Sequence, residues 1–269
     1  MIMDLKYILR RYTFAGEIKG IISKINLIID ETKSILFNMP SGNRRIIWQG
    51  PKGDLAINYY DSIGCFRAEI VDLHMLDVEL KNKENPLILD LGANQGFATL
   101  WFKYNYPGAI IHAYEPVPKS AGTIIENVID NEYQDITIHI EGISDKAGQM
   151  NIYKPIGGAG LGDSICPPED HQERYETEKI KLVNLDPILK KTKNIDLLKI
   201  DIEGAEYGVL KNCSFWKKAD KIIIEFHDNF KKEMGYDGID FIKLIKKAGF
   251  KIDKKVGEGA VYVYYFSKQ

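Results

Sequence analysis

Cysteine is scarce in this 269-residue chain: Cys65, Cys166 and Cys213 stand far apart, and none belongs to a Cys-x-x-Cys pair. Such spacing points to neither a disulfide framework nor a structural zinc site, so no metal site is assigned and a reduced, cytoplasmic compartment is expected. An excess of one charge is missing too. Thirty-six Lys and Arg stand against 38 Asp and Glu, a net charge of −2, so no basic field advertises a nucleic-acid partner. The lysines that gather after residue 190 are interleaved with acids and read as solvated faces. No apolar run reaches about 18 residues, so no transmembrane helix is expected, and the Met1-Ile-Met-Asp-Leu-Lys6 start makes a poor secretory signal. There is no internal repeat. What the chain does have is 45% hydrophobic residues, enough for a sizeable core.

The densest local signal is Asp90-Leu-Gly-Ala-Asn-Gln-Gly96. It follows a short apolar run, Pro86-Leu-Ile-Leu-Asp90, that suits a strand buried on both faces of a parallel sheet. Phe97, Leu100 and Trp101 then recur at helical spacing. Glycines and Asn94 between the two allow a tight turn and a close approach to backbone. A second apolar strand, Ala109-Ile-Ile-His-Ala-Tyr114, ends at the acid Glu115. Backbone amides at a helix start, followed by an acid for ribose hydroxyls, is the logic of a nucleotide site. A dinucleotide fingerprint would need Gly-x-Gly-x-x-Gly, but Asn94 replaces the second glycine and none stands three places beyond Gly96. An acid two residues before the first glycine would repel a pyrophosphate, yet it could accept hydrogen bonds from an ammonium group. S-adenosylmethionine, which has an amino-acid end and no phosphate, is therefore favoured over NAD.

Upstream, residues 1 to about 37 carry a helical apolar stripe that Pro40-Ser-Gly-Asn43 breaks. Segments 45–49 and 54–60, separated by Gly50-Pro-Lys-Gly53, read as a hairpin. A further helix is expected over 66–81, from Ile70, Leu73, Leu76 and Leu80. This extension, residues 1–83, precedes a domain over 84–269 and is expected to pack over the sheet edge, cover the substrate side or serve as a dimerisation arm. From Leu87 onward strands and helices alternate, which argues for a parallel sheet covered on both faces. Strands are expected near 136–140, 195–200, 221–225, 250–253 and 260–266, helices over 118–131, from 205 and over 239–248, and a strand pair at 149–153 and 179–183. The short link around Gly257 to Gly259 cannot make a parallel crossover, so the last strand should run antiparallel.

Ligands bind at the carboxyl ends of strands in such sheets. Asp90 and Glu115 are assigned to cofactor, and Ser144 and Asp145 are placed to meet its adenine. Leu198-Lys-Ile-Asp-Ile-Glu-Gly-Ala-Glu206 is the second dense cluster. Strand alternation puts Lys199, Asp201 and Glu203 on one side, where ionisable groups must pair or serve chemistry. A buried Lys199–Asp201 bridge would be a purely structural account. Glu225 and His227 end the next strand and could reach the same mouth. The glycine-rich loop over 154–176 reads as a surface connection or as a lid.

Five stretches in order, 88–97, Tyr114-Glu-Pro116, 142–148, Leu185-Asp186 and 198–206, resemble the FkbM-type methyltransferases, over residues 86 to 230. The resemblance implies a class I S-adenosylmethionine-dependent fold: Rossmann-like α/β, a seven-stranded, mostly parallel sheet with its last strand antiparallel. It implies transfer of a methyl group to a hydroxyl of a small molecule or sugar. Cofactor would be held by Asp90, Gly92, Ala93, Asn94, Gly96, Phe97, Glu115 and Pro116, with Ser144 and Asp145 beside them. Lys199, Asp201 and Glu203 would border the acceptor, with Asp201 or Glu203 as the base and Glu225 or His227 as rivals. An NAD-dependent oxidoreductase, a catalytically inactive cofactor-binding module and an RNA methyltransferase are the alternatives, and a homo-oligomer is possible.

Overall fold

The computed structural model describes residues 16–20, 23–25, 27, 43–60, 63–64, 66–72, 74–155, 175–227, 241–256 and 261–269. Most of the expected helix over 1–37, Cys65, Cys166 and nearly all of the 154–176 loop lie outside them. Where that first stretch is described it is not one helix: 23–25 are helical, but Ile18 bridges Trp48 antiparallel, Lys19 N–H donates to Ile47 O and Gln49 N–H to Glu17 O, so 17–19 run beside the hairpin. An antiparallel hairpin comes first, β1 (Arg44–Gly50) and β2 (Gly53–Tyr59), followed by a π-helical turn at Phe66–Asp72. The alternating region runs β3 (Leu87–Leu91), α1 (Phe97–Asn105), β4 (Ile110–Tyr114), α2 (Pro118–Asp130) and β5 (Ile136–His139). Next come β6 (Gly142–Ile143), β7 (Gly148–Pro155), β8 (Tyr175–Val183), the single turn α3 (Leu185–Ile188), β9 (Ile195–Ile200) and α4 (Glu206–Asn212). The chain finishes with β10 (Ala219–His227), α5 (Phe241–Lys247), β11 (Phe250–Val256) and β12 (Val261–Lys268).

Seven strands form the main sheet in the order β11-β12-β10-β9-β3-β4-β5. β10, β9, β3, β4 and β5 are parallel, while β12 runs antiparallel to both neighbours, as the short final link requires. The order reverses between β3 and β9, which creates the crevice where ligands enter a doubly wound sheet. A three-stranded sheet, β6-β8-β7, holds the expected antiparallel pair β7 and β8 apart from the main sheet.

Alternation along the buried strands feeds two cores. Ile223 joins Ile88, Ile111 and Leu197 under α1, whereas Ile222 and Ile224 join Leu89, Leu198 and Tyr207 on the α4 face. Each such aliphatic side chain contributes roughly 1.5–3 kcal/mol by burial. Helix α5 ends at Gly249, whose φ is +92°, a left-handed stop the sequence signals.

The segment over 66–81 is not a helix beyond Asp72. His74 takes φ +49°, and from there the backbone finds its partners in side chains far along the chain. Tyr265 Oη donates to Met75 O, Tyr106 Oη donates to Val78 O and accepts from Leu80 N–H, and Trp101 Nε1 donates to Asp77. Leu76 and Leu80 keep the buried positions their periodicity implied, but Leu76 sits in a turn and Leu80 on irregular chain. This stretch and the hairpin share one hydrophobic core with the sheet: Trp48, Phe66, Ile70 and Leu76 pack with Trp101, Ile223, Val263 and Tyr265.

Polar contacts fasten the hairpin to α2. Asn127 is fully buried; its side chain accepts from Asn58 N–H (2.6 Å) and donates to Asn58 O (3.1 Å) and Gln95 O (3.0 Å). Asn131 repeats the motif on Ala56. Removing Asn127 by alanine leaves these groups unsatisfied and should destabilise the protein by about 2–4 kcal/mol, read from the urea unfolding midpoint.

On the other side of β4 and β5, His112 Nδ1 and His139 Nε2 are 3.1 Å apart, and His139 stacks on Tyr114 at 4.2 Å. Burial holds the His112 imidazole below its usual range; burial first and His112 second do the same for His139. One N–H joins the two neutral rings, and protonating both rings would set two cations against each other. Unfolded histidines take up protons near 6.5, before the folded pair does. Stability should therefore be level above about pH 6.5 and fall as the pH drops from there through the lowered folded values. Urea midpoints between pH 7.5 and 5 check this, and replacing both histidines with Phe should flatten that limb.

Candidate active site

Two turns meet at the carboxyl ends of β3 and β9. The first, Gly92 to Gly96, enters α1 with Gly92, Asn94 and Gly96 all at positive φ. Gly92 N–H and Ala93 N–H both donate to Tyr114 O, which pins the turn to the end of β4. A Cβ on Gly92 would lie 1.7 Å from Asp201 O, so this glycine is demanded by the neighbouring turn as well as by any ligand. Asp201 N–H completes the contact by donating to Leu91 O (3.0 Å).

Glu115, which ends β4, is buried and accepts from Asn94 N–H (2.8 Å) and Val117 N–H (2.9 Å). Each carboxylate oxygen has a second lone pair, so these bonds orient Glu115 while leaving it able to accept hydroxyls. The residues therefore fit a nucleoside: a left-handed turn over a helix start and an oriented acid at the end of the next strand.

Asp90 is placed differently from its sequence reading. It is fully buried, its Oδ2 accepts from Thr99 Oγ1 (2.6 Å), and its Oδ1 faces Lys199 Nζ at 3.4 Å. The ammonium that meets it belongs to the protein. β3 and β9 place Asp90 opposite Lys199 in register. Lys199 Nζ also donates to Gly92 O (3.0 Å) and lies 3.2 Å from Asp201 Oδ2, so one buried cation ties both turns together. Asp201 is part-exposed, its side chain 28% accessible against 9% for Lys199.

Strand alternation describes Lys199 and Asp201 but ends there. β9 stops at Ile200, and Glu203 stands in a turn at φ +51°. Asp201, Lys199 and Glu225 share a small cavity of about 20 Å³, which Met75, Leu76, Ile223 and Val263 wall with apolar surface. It has room for about one water. His227 ends β10 on the backbone, and its side chain lies outside the described residues.

The remaining candidates disperse. Phe97 packs edge-on against Phe66 in the core, and Ala93 lies buried with Ala113 and Ile124. Ser144 Oγ donates to Asp145 Oδ1, and Asn212 donates to Asp145 Oδ2 (2.7 Å), so this pair brackets α4. Pro116 is half-buried at the start of the loop into α2. Two residues that sequence reasoning left out of the site belong to it. Tyr60 N–H donates to Gln95 Oε1 (2.8 Å) and Tyr60 Oη bonds Ser120 Oγ (2.8 Å), which brings the extension to the first turn; no local pattern signals this. Glu206 holds the second turn, and its signal was an acid in the first turn of a helix.

Replacing Lys199 with Met would leave Asp90 buried without its counter-charge, a loss of about 3–5 kcal/mol. Urea unfolding should register that loss, whereas a midpoint unchanged from wild type would mean the cation contributes nothing to the fold.

Residues 90–252 match the model of the methyltransferase FkbM domain. Methyltransferase sdnD of Sordaria araneosa is 28% identical over 190 residues, 58% of this chain and 72% of that one. The 2-O-methyltransferase NoeI of Sinorhizobium fredii is 28% identical over 152 residues, 51% of this chain and 61% of its own length. The 31-O-demethyl-FK506 methyltransferase FkbM of Streptomyces tacrolimicus is 26% identical over 181 residues, 56% of this chain and 68% of that one. With the sheet order, the two turns and this match over more than half its length, the chain belongs to the FkbM-domain methyltransferases and takes S-adenosylmethionine as its cofactor.

Proposed function

We propose that the protein transfers a methyl group to a hydroxyl of a small-molecule or sugar acceptor, with Asp201 as the base. The observation that carries this is the placement of Asp201: part-exposed, its backbone against Gly92 and its Oδ2 beside Lys199. Two of the relatives, the 2-O-methyltransferase and the 31-O-demethyl-FK506 methyltransferase, carry names that put the methyl on oxygen.

In this reading Gly92, Ala93, Asn94, Gly96, Phe97, Glu115, Pro116, Ser144 and Asp145 form the cofactor side. Asp90 supports it from below through Lys199 rather than touching the ligand. The bound cofactor supplies a methyl carried on a sulfonium, which leaves as a neutral thioether. Asp201 takes the proton of the acceptor hydroxyl as its oxygen forms the new bond to carbon. Lys199 keeps Asp201 Oδ2 turned inward, so the other oxygen is available outward. Met75, Leu76, Ile223 and Val263 keep bulk water from the same spot. Glu203 and Glu225 border the acceptor, and Glu225 or His227 is the rival for the base. Alignment of donor and acceptor can supply up to roughly 7–11 kcal/mol of catalysis, and the base a further 10²–10⁴-fold.

The reading places the protein in the cytoplasm, working on a small molecule rather than nucleic acid, with homo-oligomerisation as an option for the extension. Among the described residues no helix is long and apolar enough to cross a membrane. Burial pushes the Cys213 thiol up to about 11, which suits an unreactive thiol in a reduced compartment.

A screen of sugars, lipids and polyketide-like alcohols with labelled methyl donor should return product methylated on oxygen. Asp201→Asn should then lower turnover by about 10²–10⁴-fold while leaving adenosylhomocysteine binding, measured by calorimetry, near wild type. Lost cofactor affinity with that variant would move Asp201 from base to binding residue.

A further inference from the structure

We propose that Glu206 is a positioning residue for methyl transfer: it fixes the backbone turn that presents Asp201 and Glu203 to the acceptor. The proposal rests on the reading of Asp201 as base and goes beyond it by naming what holds that base in place.

Glu206 opens α4 and is fully buried, an environment in which a carboxyl group is tolerated only when its oxygens are satisfied. Its Oε1 accepts from Ile202 N–H and its Oε2 from Gly204 N–H, each at 2.9 Å. Between these two donors the chain takes an uncommon path. Glu203 stands at φ +51° and Gly204 at φ +104°, successive residues in the left-handed region, which is disfavoured for a side chain bearing Cβ. The Glu206 carboxyl group gathers both N–H groups inward and so stabilises that path. The opposite side of the turn is clamped as well. Asp201 N–H donates to Leu91 O, and Asp201 O lies where a Cβ of Gly92 would fall, so no slack remains on the cofactor side. Asp201 is thus suspended between the cofactor turn and Glu206. A change at Glu206 shifts the base relative to the donor without touching either ligand.

The chemistry of the substitution is specific. A glutamine amide offers one acceptor and one donor, so it can satisfy Ile202 N–H or Gly204 N–H but turns an N–H against the other. Aspartate keeps both acceptors on a stem one methylene shorter.

The test pairs Glu206→Gln with Glu206→Asp and begins on the free protein. Amide hydrogen exchange should find Ile202 and Gly204 protected in wild type, with protection about tenfold or more weaker in Glu206→Gln while the β9 amides keep theirs. With an acceptor from the screen, kcat of Glu206→Gln should fall by about 10²-fold, as expected for a displacement near 1 Å. Its adenosylhomocysteine affinity should stay within about threefold of wild type, and Glu206→Asp should recover part of the rate. Unprotected Ile202 and Gly204 amides in wild type, an unchanged kcat, or cofactor affinity falling in step with rate would each overturn the proposal. Failure of the base assignment is read separately, as normal turnover by Asp201→Asn, because the exchange pattern does not depend on which residue takes the proton.

Discussion

A single buried ammonium group organises the working end of this sheet. Lys199 Nζ reaches Gly92 O, Asp201 Oδ2 and Asp90 Oδ1 within 3.4 Å, and Asp90 itself has no exposure to water. Taking those charges out of water costs several kcal/mol per ion, and only close geometry with further hydrogen bonds offsets it. Thr99 and the Gly92 carbonyl supply those bonds. Because β3 and β9 are adjacent parallel strands, the same cation fixes both turns that leave them. The turn that enters α1 and the turn that carries Asp201 are therefore parts of one rigid object.

The extension completes that object. Its stretch over 74–80 lies over the sheet face that carries Ile88, Leu197 and Ile223, and its Met75 and Leu76 wall the cavity beside Asp201 and Glu225. The hairpin reaches the first turn through Tyr60 and Gln95, and α2 through Asn58 and Asn127. A segment that carries none of the family motifs thus shields the buried charges. Of that apolar wall, Met75, Leu76 and Val263 lie outside the matched region, 90–252, and Ile223 inside it.

The parallel strands, the helices between them and the antiparallel last strand were legible because each depends on local pattern: apolar runs, glycine stops and short links. Legibility failed where distant residues decide. Residues 74–80 have helical periodicity, yet their backbone groups are met by Tyr106 and Tyr265, the latter 190 positions away from Met75. No window along the sequence contains that competition. Glu203 failed for a related reason: alternation assumes a strand continues, and here Glu206 closes the chain into a turn two residues beyond Asp201. Asp90 meets an ammonium group that no local window shows, that of Lys199, 109 positions on, since a carboxylate two residues before a glycine attracts such a group whether it is a ligand's or a lysine's.

Asp90, Glu115, Asp201, Glu203 and Glu206 bring five acids to the two turns, and Lys199 stands between two of them. The excess is negative although Asp90 is sealed away. Coulomb interactions in a poorly solvated crevice reach past the first contact, so the field that an incoming ligand meets depends on the sum and not on which acid touches it. A pyrophosphate would add negative charge to that sum, whereas a sulfonium and an ammonium reduce it. The preference for a cationic, phosphate-free cofactor is thus a property of the pair of turns and their shared lysine.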